Sequence, residues 1–379
     1  MNPKKYNNIK LTITITKAII SFFMIFLFVS LGYSLLLKQY ISRFTSNSYF
    51  VFILFVIFSG LISGILFLPV NYYSEFYLEH KYKLSNQTLG VWIWEGLKEL
   101  LVSAIVGIPL LFIFYFVLNR FGAFWWLPFA TILFVFSVVL ARIVPIVILP
   151  LFYKVTPLED EKLKNRLELL AKEAGLKLKD IYKFNMSKNT KKANAAFTGL
   201  GSTKRILLGD TLLDNFSSDE IETVIAHELG HYKYKHIIKN IFLGTISSFL
   251  SLFLIAFLYE VSIGWFGFKS ITDVAALPLL SLWAMIIGLV QTPISSSISR
   301  KYEFQADEYS VRTTLKPSAF KRTLEKLNEQ NLGDKDPHPL VEWFFYSHPS
   351  IKKRISQIDS LGVSDSSDDG FQAIRTENI

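Results

Sequence analysis

Six stretches of 20 or more residues contain no Asp, Glu, Lys or Arg: Ala18–Leu37, Phe44–Ser74, Leu100–Asn119, Phe121–Ala141, Asn240–Tyr259 and Val274–Ser299. At 1.5 Å of rise per residue, each can cross a hydrocarbon layer about 30 Å thick. Hydrocarbon admits only backbone that satisfies its own hydrogen bonds. The chain is therefore expected to be mainly α, a polytopic helical membrane protein with about six spans. Hydrophobic residues at 51 % against 19 % charged exclude a soluble multidomain reading of the 379 residues, and disorder with it. Gly64 and Pro69 predict a kink in the second span. Pro145 and Pro150 predict a bend or an end where the fourth runs on past Arg142.

Charge supplies the orientation. A net charge of +9 would suggest a nucleic-acid partner in a soluble protein. Here 36 of the 40 Lys and Arg fall in the N-terminal segment, Glu75–Glu99, Arg142–Lys239 and the tail from Arg300. The three intervening loops hold only Lys38, Arg43, Arg120 and Lys269. The positive-inside bias puts the polar segments and both termini in the cytosol, with the lipid bilayer as partner and no nucleic acid. The first span, behind Lys4, Lys5 and Lys10, reads as an uncleaved signal anchor, because its apolar run is long and lacks an Ala-x-Ala-like site.

An organisation follows: spans one to four in 1–150, a first polar half in 151–236, spans five and six in 237–299, a second polar half in 300–362, and a Ser/Asp-rich tail, 363–379, expected to be disordered. The two polar halves are expected to dock into one domain. Thr156-Pro157-Leu158-Glu159 predicts a helix running to about Ala174, ended by Gly175. Asp180–Met186, Arg205–Leu208 and Ala193–Thr198 predict a small β-sheet, and Asp219-Glu220 predicts a second helix start.

That second helix carries His227-Glu228-Leu229-Gly230-His231, an H-E-x-x-H pattern. Positions i and i+4 of a helix lie one above the other, so both imidazoles can reach one metal ion. Glu228, one residue on, stands where it can take a proton from water activated by the ion. With no Cys in the chain, a transition metal must be held by the six His and the carboxylates. A catalytic zinc wants a third protein ligand and an open position. Orientation selects it. Glu260 and Asp273 fall on the opposite membrane face from His227, whereas two spans return the chain to the correct face at Arg300. There Glu303 and Asp307 lie at i and i+4. Glu303 is the expected ligand of one Zn2+, and Asp307 is expected to accept a hydrogen bond from a ligating imidazole, that of His227, and fix its tautomer. Asn194 and His348, taken alone, read as a turn residue and a loop histidine.

At this point the chain resembles the type I CAAX prenyl endopeptidases, which are intramembrane zinc metalloproteases. The likeness covers about residues 65–358. It rests on Asn86-Gln87-Thr88-Leu89-Gly90, Pro157-Leu158, Asn194-Ala195 ahead of Arg205–Leu213, the His227–His231 motif, Glu303-Phe304-Gln305-Ala306-Asp307, Asn331-Leu332-Gly333 and Tyr346-Ser347-His348-Pro349. The resemblance implies a helical barrel around an intramembrane chamber, closed by a zincin-like zinc domain. It implies His227, His231 and Glu303 as zinc ligands and Glu228 as general base. Asn194 and His348 become contacts to substrate or oxyanion, and Arg354 a support of the active site. Six spans instead of the seven of eukaryotic members, and a short loop between Leu213 and Ile221, point to a bacterial homologue in an inner membrane; a eukaryotic chain would sit in the endoplasmic reticulum.

The expected function is hydrolysis of peptide bonds by a membrane-integral zinc metalloendopeptidase. Its partner is a peptide or protein substrate, a prenylated C-terminus by the resemblance. The alternative is a quality-control protease of membrane proteins without a prenyl requirement. Two other classes fit less well. Site-two-type proteases place the motif within a span, whereas Asp219, Glu220, Lys233, Lys235 and Lys239 flank it here. A transporter with a structural zinc would have no use for Glu228.

Overall fold

The protein is described here from a computed structural model covering residues 2–176, 180–198 and 205–365. Six helices are long and apolar enough to cross a membrane: Pro3–Ser30, Ser48–Lys81, Leu89–Phe124, Trp126–Phe152, His236–Phe266 and Pro278–Thr314. The first differs from the sequence expectation, starting at Pro3 and ending near Gly32, which takes φ 77°. Its lysines do not end it because the second helix satisfies them. Lys10 pairs with Glu79 at 2.8 Å and donates to the Ser74 carbonyl, and Lys17 donates to Asn71 Oδ1 at 2.6 Å. Tyr33–Ile41 is a separate helix of 9 residues, too short to span. Each proline region departs from regular α-helix. Pro69 is followed by a π-helical segment at Tyr72–Tyr77, and the fourth helix runs past Arg142 through a π-segment at Val144–Ile148 that contains Pro145. Proline removes an N–H and crowds the preceding turn, and a wider turn accommodates it.

In the most apolar window of each long helix, no more than 22 % is buried inside the molecule. Helices closing a bundle would bury a full face each, so this thin burial fits helices walling a hollow. They meet mainly at the end remote from the polar domain, where Val29, Ile41, Phe52, Leu118, Tyr259 and Leu279 share one apolar cluster. Lys38 and Asp273 pair across the same end at 2.9 Å.

The polar domain contains a four-stranded sheet, ordered β1-β2-β4-β3. The strands are β1 Val155–Pro157, β2 Asp180–Phe184, β3 Ala195–Thr198 and β4 Arg205–Gly209. The two inner strands are parallel, and each edge strand pairs antiparallel to its neighbour. The expected helix start at Thr156-Pro157 is wrong. Those residues form β1, an edge where a proline without N–H is tolerated. Asp160 caps the helix Glu161–Glu173 instead, accepting from the Leu163 N–H at 3.0 Å, and Gly175 (φ 75°) ends it as expected. Met186 belongs to a 3-10 turn after β2. Leu167, Leu170, Ile181, Ile206, Leu208 and Ile225 fill the space between sheet, first helix and motif helix. Most of the tail, 366–379, lies outside the described residues.

Candidate metal centre

The motif helix spans Ser218–Lys233, one residue earlier than expected. Ser217 caps it in a reciprocal arrangement with Glu220, the serine accepting from the Glu220 N–H and the carboxylate from the Ser217 N–H. Its entry is pinned by charge. Lys316 reaches Asp219 at 2.7 Å and the buried Glu222 at 3.0 Å, and Arg166 pairs with both. Lys326 holds the buried Glu220 at 2.8 Å.

The sixth long helix supplies the opposite wall. It runs unbroken for 37 residues, from Pro278 to Thr314, so span and site residues belong to one rod. Two small residues let the rods approach. A Cβ on Gly230 would lie 2.9 Å from Ala306 Cα. Ser310 then donates to the Thr223 carbonyl at 2.8 Å.

This close crossing brings His227, His231 and Glu303 together. One ligand atom from each lies within 4.8 Å of the others. His227 Nε2 is 3.4 Å from Glu303 Oε2, His231 Nε2 is 3.4 Å from Oε1, and the two Nε2 atoms are 3.2 Å apart. Glu303 is 5 % exposed, yet its Oε2 makes no hydrogen bond of acceptable geometry. Each oxygen of this buried carboxylate faces one imidazole nitrogen, Arg354 Nη2 stands 3.9 Å from Oε2, and a carboxylate so enclosed is costly unless cations compensate it. The surroundings of His227 point the same way. Burial alone would lower its pKa, but the Asp307 and Glu303 carboxylates push it up to about 9. The pocket favours positive charge, and the donor set fits a divalent metal.

Around this cluster the expected residues fall unequally. Asp307, fully buried, lies 2.8 Å from His227 Nδ1, as expected. Arg354 clamps Asp307 from behind, its Nε donating to Oδ2 at 2.8 Å and Nη2 to Oδ1 at 2.5 Å. Glu228 follows His227 and is half-buried; burial raises its pKa, while His227 and His231 pull the other way. His348 stands at the rim, its Nε2 3.5 Å from Glu303 Oε1 and its side chain 63 % exposed. Asn194 is exposed at the start of β3. Its carbonyl accepts from the Gly209 N–H at 3.0 Å, and the contacts that tie the His/His/Glu cluster together do not involve it.

Sequence reasoning missed His236. Lys235 takes a left-handed conformation (φ 57°) and turns the chain so that His236, 1 % exposed, meets His231 with Nδ1 atoms 3.0 Å apart. Its Nε2 lies 2.9 Å from Gln305 Oε1, and its ring stacks on Tyr302 at 4.1 Å. A third histidine five residues past the motif was a readable signal. The left-handed turn that redirects it was not.

The profile of peptidase family M48 matches residues 157–361, and that of the CAAX prenyl protease N-terminal region, five membrane helices, matches residues 2–154. CAAX prenyl protease 1 of Saccharomyces cerevisiae is 34 % identical over 323 residues, covering 80 % of this chain and 71 % of that protein. The uncharacterized metalloprotease YhfN of Bacillus subtilis is 31 % identical over 369 residues, covering 94 % and 84 %. The crystal structure of S. mikatae Ste24p superposes with a TM-score of 0.85 at 29 % identity, covering 94 % of this chain and 88 % of that one.

Proposed function

The chain belongs to peptidase family M48 and is a multi-pass membrane metalloprotease, and from that premise we propose that it uses one zinc ion held by His227, His231 and Glu303. Three protein ligands from nitrogen and oxygen, with no Cys in the chain, suit a catalytic zinc that keeps an open position. When bound, the ion supplies Lewis acidity, lowering the pKa of water and polarising a carbonyl. The convergence of these three side chains beside Glu228 carries the reading.

The chain's own residues do the rest. Glu228, adjacent to a ligand and half-buried, accepts the proton of the attacking water and returns it to the leaving amine. Asp307 accepts the Nδ1 hydrogen of His227 and holds Nε2 toward the centre; Arg354 keeps Asp307 ionised. His348, at the rim 3.5 Å from Glu303, donates to the developing oxyanion, a contribution commonly worth about 3 kcal/mol. Among the described residues β3 pairs with β4 alone, which leaves its other edge open. An extended substrate adds there by backbone hydrogen bonds, with Asn194 at the edge's beginning. Backbone pairing gives affinity without strong sequence preference.

The substrate proposed is the C-terminal segment of a prenylated protein, by likeness to the CAAX prenyl proteases named above. The Lys and Arg distribution supports a site on the cytosolic face, and the membrane proposed is a bacterial inner membrane. The test uses purified protein with its zinc measured, offered matched prenylated and unprenylated C-terminal peptides. Glu228→Gln should keep the metal and lose cleavage by about 100-fold or more; wild-type rates in that variant remove the general base. Equal cleavage of both peptides removes the prenyl preference and leaves a broader protease of membrane proteins.

A further inference from the structure

We propose that His236 and Gln305 form a tautomer relay that presents His231 Nε2 to the metal, a positioning role that rests on His231 being a ligand. A neutral imidazole has one N–H and one bare nitrogen, and an amide oxygen can only accept. Gln305 Oε1, 2.9 Å from His236 Nε2, therefore takes its hydrogen from that nitrogen and leaves His236 Nδ1 bare. Bare Nδ1 lies 3.0 Å from His231 Nδ1, so His231 must carry its hydrogen there. The lone pair of His231 then sits on Nε2, the atom facing Glu303 and His227. Each link follows from the one before.

Turning the Gln305 amide over would reverse the chain. Its NH2 would donate to His236 Nε2, His236 Nδ1–H would donate to His231 Nδ1, and His231 would hold its hydrogen on Nε2, where it cannot ligate. One amide orientation is thus compatible with ligation. The parts are built to hold it. His236 is buried and stacked on Tyr302, with planes 10° apart. Tyr302, Glu303 and Gln305 come from one helix, so the carboxylate ligand and the two residues that hold His236 move together.

The test measures zinc affinity of the full-length protein in detergent by competition with a chelator, alongside thermal unfolding. Gln305→Glu keeps an acceptor and should bind within about threefold of wild type. Gln305→Met matches the length without an acceptor and should weaken binding about 10- to 100-fold. A role in packing alone would not separate the two. Histidine 15N NMR of the zinc-loaded wild type supplies a second readout that needs no variant: hydrogen on His231 Nδ1 and His236 Nε2 supports the relay, and the reverse pattern overturns it. Wild-type affinity in Gln305→Met also overturns the relay. Wild-type affinity in His231→Ala overturns the ligand assignment itself.

Discussion

His227 and His231 stand one turn apart on one helix and face the same carboxylate, yet opposite means hold them. His227 lies on the dry side, backed by Asp307 and then by Arg354, three side chains each less than a tenth exposed. His231 lies on the wetter side, 22 % exposed, and leans on a neutral ring and a neutral amide. The difference follows from solvation. A carboxylate with no water around it needs a cation, and a two-pronged guanidinium fits it best. Behind His231 the buried His236 and the half-buried Gln305 form a neutral donor–acceptor pair, which fixes the ring without the cost of burying charge. The charged side is thus part of the fold as well as of the site, whereas the neutral side acts mainly on orientation.

The largest expected effect breaks the charged side. Arg354→Met removes the cation that keeps the enclosed Asp307 ionised, and should destabilise the protein by about 3–5 kcal/mol. Gln305→Met on the other side strands one neutral N–H of the buried His236 and should cost less, about 1–2 kcal/mol. Denaturant unfolding of both variants decides, and equal losses would erase the distinction. A middle-sized effect should act on both imidazoles alike. Gly230→Ala puts a methyl 2.9 Å from the Cα and 3.2 Å from the carbonyl oxygen of Ala306, backbone atoms that cannot swing away. The two rods must separate, at a cost of about 1–3 kcal/mol, and zinc affinity should fall; unchanged affinity would show that the crossing distance does not set the cluster.

The smallest effect probes whether charge also anchors the far end of the motif helix. Burial pulls the Glu220 carboxyl up, but Lys326 and the Ser217 N–H hold it below the usual range; Lys316 and Arg166 do the same for Asp219. A carboxyl lowered on folding stabilises fully above its unfolded pKa of about 4, and that contribution fades as pH falls through the lowered value. The protection factor for hydrogen exchange at residues 217–223 should therefore fall below about pH 4. Protection that grows on acidification would contradict the assignment.

Much of this was readable beforehand. Uncharged runs located five of the six spans closely, because hydrocarbon enforces one requirement over a whole segment. The first helix lies earlier than its uncharged run, because Lys10 and Lys17 fall inside it and are satisfied by Glu79, Ser74 and Asn71 of the neighbouring helix. β1 was missed because a Pro-Leu-Glu run resembles a helix start, while the true cap, Asp160, lay three residues beyond Pro157. Asp307 was foreseen from i, i+4 spacing, whereas the Arg354 clamp was implied by family resemblance alone and His236 was not foreseen.

By itself the sequence determined the number of long helices, the two histidines on one helix face and the single carboxylate able to join them, since each depends on periodicity or on which side of a membrane the chain returns. Tertiary structure alone decided what stands behind each imidazole. Those partners come from segments far apart in the chain or beyond a left-handed turn, and only the packing of two rods at Gly230 and Ala306 sets the few ångströms on which a hydrogen bond depends.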